Sequence, residues 1–146
     1  MASTSTKKSC SSFRPAASLV KFYKHFCLRF VKGDKSWNDA NSECMRQGGL
    51  LLQIHSQQDQ DFIFESLKSL HWSDAGVWIG ATDRDSEGHW KWSDGSPVIY
   101  SHWNTGEGQQ HSANNENCAM VNVDDGMWYD YGCDDVIYNQ AYICKY

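Results

Sequence analysis

Between residues 103 and 133 the chain reads WNTGEGQQHSANNENCAMVNVDDGMWYDYGC, a stretch crowded with carboxylates and carboxamides. Its first half has little helix or strand pattern, and it ends between two cysteines. Glu107, Gln109, Glu116 and Asp130 converge if Cys118 and Cys133 are joined. Hard oxygen donors of this kind suit Ca²⁺, which takes roughly six to eight oxygens. They do not suit Zn²⁺, which wants Cys and His at short spacing. The rest of the chain reads as a scaffold that holds this loop open.

That scaffold is legible in outline. The 146 residues suit one domain, read as a flexible N-terminal segment at 1–19 and a folded body at 20–146. The aromatic run at 20–31 (VKFYKHFCLRFV) is semi-alternating and reads as strand or hairpin. Ser36 caps a helix with Asp39 in its first turn, Trp37, Ala40, Cys44 and Met45 on one face, and Gly48-Gly49 as the stop. Residues 50–54 form a short buried strand. Ser56 with Asp59 resembles a capping box for a second helix through about Ser69, with Phe62, Ile63, Leu67 and Leu70 inward. Short strands follow at 77–80, 90–92, 100–103, 118–123, Trp128 and 141–145, with turns at Ser93-Asp94-Gly95 and Asp124-Asp125-Gly126. Two helices early and short strands late make the class α+β. A patternless loop as long as 104–117 is, in a compact domain, usually functional or disordered.

Charge and cysteine usage exclude several functions. Residues 1–35 hold eight Lys and Arg against one acid, and the remainder holds five against seventeen. An acidic body argues against nucleic-acid binding, which needs cations against phosphates. The basic start is either a solvated segment or a contact for a polyanion or membrane surface. Six cysteines with no CxxC spacing suggest three disulfides and a secreted or extracellular setting. Residues 1–9 are polar, so no secretory leader is visible, and no apolar run of about 18 residues spans a membrane. The acid pair Glu107 and Glu116 invites comparison with a glycoside hydrolase. With no nucleophile motif, metal-hydrolase signature or nucleotide loop, an enzyme is not expected. The six histidines show no ligand spacing; His102 and His111 lie near the loop.

Taken together, several motifs resemble the C-type lectin-like domain over about residues 22–146. They are Trp37 and Cys44 on the first helix, Val77-Trp78-Ile79-Gly80-Ala81, Trp90-Lys91-Trp92-Ser93-Asp94-Gly95-Ser96, Glu116-Asn117-Cys118, Trp128-Tyr129-Asp130 and Tyr142-Ile143-Cys144. The resemblance implies the C-type lectin-like fold: two helices, short antiparallel strands, a long calcium and ligand loop, and disulfides Cys44–Cys144 and Cys118–Cys133. In the chain-entropy view, a bridge closing about 100 residues contributes roughly 4.7 kcal/mol and one closing about 15 roughly 3 kcal/mol. Cys10 with Cys27 matches the family's optional hairpin bridge; the alternative is an intermolecular disulfide through Cys10 that builds a homo-oligomer.

Many members of that family bind sugars through Ca²⁺. The corresponding residues here are Glu107-Gly108-Gln109, Glu116 and Trp128-Tyr129-Asp130. Gly108 replaces a proline whose peptide bond is typically cis. A non-proline cis bond costs about 2.5–4 kcal/mol, so the bond between Glu107 and Gly108 is expected to be trans. Gln109 replaces Asn and adds a methylene. Tyr129 replaces the Asn of Trp-Asn-Asp, and a neutral phenol is a poor Ca²⁺ ligand. Glu107, Gln109, Glu116 and Asp130 remain, giving a functional but weakened site or a decayed one. Asp83 and Glu87, with Glu116 and Asn117, match the family's auxiliary calcium loop. The order of acid then amide leans to mannose-type glycans, whereas stacking on Trp103 or Tyr129 would favour galactose. The competing class is a calcium-independent protein-interaction module on the same fold.

Overall fold

The aromatic run at 20–31 folds as a hairpin. The computed structural model describes Cys10 and residues 18–72, 76–104, 117–136 and 140–146. Within it, β1 (Ser18–Tyr23) and β2 (Phe26–Lys32) pair antiparallel with Tyr23 opposite Phe26, leaving Lys24 and His25 as the turn. Lys24 takes a left-handed backbone, φ 58, unusual for a long side chain. Most of the segment expected to be flexible, 1–19, lies outside the described residues. Cys10 is among them and is bonded to Cys27, so it is not available for the intermolecular disulfide considered as an alternative.

Both helix starts follow their local signals. Helix α1 (Trp37–Arg46) begins after Ser36, whose hydroxyl accepts the Asp39 N–H at 3.1 Å. Trp37, Ala40 and Cys44 are buried, but Met45 is 57% exposed, against expectation. The inward stripe follows the spacing of Trp37, Ala40 and Cys44, and Met45 turns past its edge. Gly48, at φ +89, ends the helix. Strand β3 is Leu50–Leu51 alone, shorter than the expected 50–54. The Leu52 carbonyl instead accepts the Gly80 N–H at 2.8 Å.

Helix α2 (Gln57–Ser69) starts after Ser56, which caps the Asp59 N–H. The reciprocal half of the capping box shifts by one residue, because Asp59 Oδ2 accepts from the His55 N–H at 3.0 Å. The remaining strands are β4 (Gly76–Thr82), β5 (Lys91–Trp92), β6 (Cys118–Asn122), β7 (Trp128–Tyr131) and β8 (Gln140–Lys145). The expected strand at 100–103 reduces to an isolated bridge between Trp103 and Trp128. Side chains hold that segment instead: Tyr100 donates its hydroxyl to Gln57 Oε1 at 2.8 Å.

The eight strands form one sheet in the order β1-β2-β8-β4-β6-β7, with β3 on β8 and β5 on β4. The pairings are antiparallel except β4 with β8. Gly80 permits the crossing of β4 over β3, since a Cβ there would lie 2.8 Å from the Leu51 carbonyl oxygen. Trp78, Trp92 and Trp128 are fully buried. Each removes on the order of 200 Å² from water, worth about 5 kcal/mol before ordering costs. The indole N–H groups of Trp37, Trp78 and Trp128 also tie elements together. Trp37 Nε1 donates to the Ile79 carbonyl and Trp78 Nε1 to the Lys35 carbonyl, both at 2.8 Å. Cys44–Cys144 fastens α1 to β8, and Cys118–Cys133 closes β6 and β7.

Candidate functional site

Two fixed posts flank residues 105–116, which themselves lie outside the described residues. At the first, the Trp128 N–H donates to the His102 carbonyl at 2.8 Å and the Asn104 N–H to the Trp128 carbonyl at 2.9 Å. At the second, the Asn117 carbonyl accepts both the Asp83 N–H (3.1 Å) and the Thr82 hydroxyl (2.7 Å). Behind the first post lies Gln60, a buried amide on α2 with two matched bonds. Its Oε1 accepts from Trp128 Nε1 at 2.9 Å, and its Nε2 donates to the Gly126 carbonyl at 2.6 Å. Gly126 is required there: φ is +75, and a Cβ would meet the Phe64 ring at 2.9 Å.

The structure brings three of the expected ligands together. Asp83, only 2% exposed, ends the β4 extension, and its Oδ2 accepts the Gly88 N–H at 2.8 Å. The Asn117 carboxamide reaches Asp83 Oδ1 at 2.9 Å and Glu87 Oε1 at 3.2 Å when its nitrogen is turned inward as a donor. Turned the other way, it places its oxygen at that same spot, beside two carboxylate oxygens. Neighbouring oxygens around one Ca²⁺, each about 2.4 Å from the ion, sit roughly 3 Å apart. The donor set therefore fits a hard cation. Among the described residues no three His, Cys, Asp or Glu side chains form a metal cluster. The third acid expected here, Glu116, lies outside them.

The other candidates divide. Glu107 and Gln109, and with them the bond between Glu107 and Gly108, fall outside the described residues, as does His111. Asp130 is buried at 3% on β7, on the same face as Trp128 and opposite Ala119. It therefore sits two positions along the neighbouring strand from Asn117. The Tyr129 hydroxyl donates to Asp125 Oδ2 at 2.6 Å and accepts from Asn104 Nδ2 at 3.0 Å. The ring of Trp103 packs 4.7 Å from Trp90 and 5.4 Å from Trp128, extending the core to the first post. Asn104 and Asp125, which hold Tyr129, were not expected as part of the site. Asn104 abuts the loop and Asp125 was read only as a turn residue, so neither carried a signal of its own. Gln60 carried one, since it shares a helical face with Ile63 and Leu67.

Residues 33–146 match the family model described as the lectin C-type domain. The chain belongs to that family. It is 39% identical over 128 residues to the mouse low affinity immunoglobulin epsilon Fc receptor, a match covering 86% of this chain and 36% of the receptor. The chain thus spans about a third of that receptor's length. It is 34% identical over 123 residues to nattectin, a galactose-specific lectin of Thalassophryne nattereri, covering 82% of this chain and 77% of nattectin. Among solved structures, it superposes with TM-score 0.70 and 32% identity on the carbohydrate-recognition domain of cow CD23 in the presence of a GlcNAc2Man3 oligosaccharide. That match covers 92% of this chain and 95% of the other. These lectin-domain relatives are named as receptors and lectins, not as enzymes. No helix among the described residues is long and apolar enough to cross a membrane.

Proposed function

We propose that this C-type lectin domain binds terminal monosaccharides through a calcium ion held by Glu107, Gln109, Glu116 and Asp130. A supporting ion sits at Asp83, Glu87, Asn117 and Glu116. The observation that carries this reading is the approach of the Asn117 amide to two carboxylates, one of them almost wholly buried. Such an ion would brace the second post of the loop. Two vicinal hydroxyls of the sugar would complete the primary ion's shell, each also bonding to a carboxylate and a carboxamide. Acid before amide at Glu107 and Gln109 favours mannose-type sugars. The galactose specificity of nattectin keeps the other class in the test. Three disulfides suit a secreted or extracellular setting. A single shallow site binds a monosaccharide weakly, so useful avidity requires several copies.

Tyr129 favours one competing reading. Its phenol is engaged with Asp125 and Asn104, in a place where the family's sugar-binding members carry a ligand amide. That suits a calcium-independent protein-interaction surface. A glycan array probed with Ca²⁺ and again with EDTA decides. Binding to mannose-type glycans that EDTA abolishes is the expected result. Binding that survives EDTA, or none to any glycan, rejects the calcium reading.

A further inference from the structure

A cleft of about 180 Å³ opens between the β1–β2 turn, the connection from β3 to α2 and the end of β8. None of its lining residues belongs to the proposed calcium and sugar site. Its buried wall is apolar, made by Leu28, Leu52 and Ile63, each no more than 3% exposed. Phe26, His55 and Lys145 also line it. The volume is slightly above the ~150 Å³ at which an apolar cavity takes up benzene. One aromatic ring is therefore the size of body it accepts.

The charges around the cleft are unequally matched. Asp59 is satisfied three times over: by Lys24 Nζ at 2.8 Å, by the Tyr23 hydroxyl at 2.9 Å and by the His55 N–H at 3.0 Å. Lys145 is different. Its ammonium donates to the neutral Gln53 Oε1 at 3.1 Å and lies 4.3 Å from the centre of the Phe26 ring. Among the described residues no carboxylate pairs with it. Burial pushes its pKa down, while Asp94 and Asp59 pull more weakly the other way. The Lys24 turn, in its left-handed conformation and fastened to Asp59, gives the cleft a fixed edge.

We propose that this cleft is a second ligand site, for a small monocarboxylic acid bearing one aromatic ring, with the ring on Leu28, Leu52 and Ile63 and the carboxylate on Lys145. An anion answers a cation that has no carboxylate in ion-pair contact among the described residues, and the ring fills space that water occupies poorly. The site is independent of calcium.

Phenylacetate, titrated into the whole chain in EDTA and followed by the backbone amide resonances of Phe26, Leu28 and His55, tests this. Saturable shifts at those three amides are expected, with a Kd on the order of 1 mM for a ligand of this size. Neutral phenylacetamide should bind about tenfold more weakly. Lys145→Met keeps the apolar stem and should erase the preference for the acid, whereas Lys145→Arg should retain it. Calcium-dependent glycan binding by Lys145→Met should match that of the unmodified chain, which separates this site from the lectin site. Equal affinity for acid and amide, shifts that never saturate, or an acid preference surviving in Lys145→Met would overturn the proposal.

Discussion

Asp59 and Asp83 are both buried carboxylates, 9% and 2% exposed, and the fold treats them differently. Asp59 is paired with the chain's own lysine, and its lone pairs take a hydroxyl and a backbone N–H. Asp83 receives the Gly88 N–H and faces an amide and a second acid. Among the described residues no Lys or Arg pairs with it. A buried carboxylate is tolerated only when something offsets its charge. Where the chain supplies the cation, the residue is structural. Where it supplies neutral donors and another carboxylate, the calcium ion of the proposed supporting site would be the offset.

Three experiments press on this contrast. The largest effect belongs to Asp59→Ala, which leaves the Lys24 turn and the His55 N–H without their acceptor. Urea unfolding should show a loss of about 2–3 kcal/mol, equal with Ca²⁺ and with EDTA. A loss that depended on calcium would erase the distinction. Next comes Asp83→Asn, nearly neutral in EDTA. With each proposed site at ten times its Kd, calcium should stabilise the unmodified chain by about 2.8 kcal/mol and this variant, which keeps only the primary ion, by about 1.4 kcal/mol. If calcium fails to shift even the unmodified chain, Asp83 is a second structural acid.

The smallest effect is acid sensitivity. Burial pushes Asp59 up, but its bonds to Lys24, the His55 N–H and Tyr23 outweigh burial and hold it below the ordinary range. The Ser96 hydroxyl and N–H, with Gln53, bring Asp94 down to about 2. Both folded values are depressed. Their contributions are therefore complete above the unfolded value near 3.9 and are lost as pH falls through the folded values. Stability of the unmodified chain should decline below about pH 4. Asp94 is exposed and screened, so Asp94→Asn should cost less than about 1 kcal/mol at pH 7 and vanish as a difference near pH 2. A steeper acid loss in Asp94→Asn than in the unmodified chain would reverse that sign.

Features set by a few neighbouring residues were legible in the sequence. The two serine caps, the glycine stop and the hairpin at 20–31 each follow from chemistry within about four residues. The edges of elements were less so. Residues 52–54 and 100–102 read as strand because their side chains suit one. The Leu52 backbone instead bonds singly to β4 and to Ile143 of β8, and Tyr100 is held by its hydroxyl on α2. Those are tertiary choices with no local signature. The site divides the same way. Asp83, Glu87 and Asn117 were legible through motif resemblance, and their proximity required the β4–β6 pairing. The engagement of Tyr129 with Asn104 and Asp125 depends on three segments meeting, which no spacing encodes.

The two posts that flank residues 105–116 have an evolutionary meaning. At both, the fixing bonds run largely between main-chain atoms: the N–H of Asn104 and the carbonyl of Asn117 are atoms that a replacement residue also carries. The intervening 105–116 can therefore change in composition without disturbing how its ends are tethered. Even doubling its length would add only about 0.6 kcal/mol of closure entropy. The scaffold thus offers two fixed anchor points whose bonds do not depend on the side chains between them.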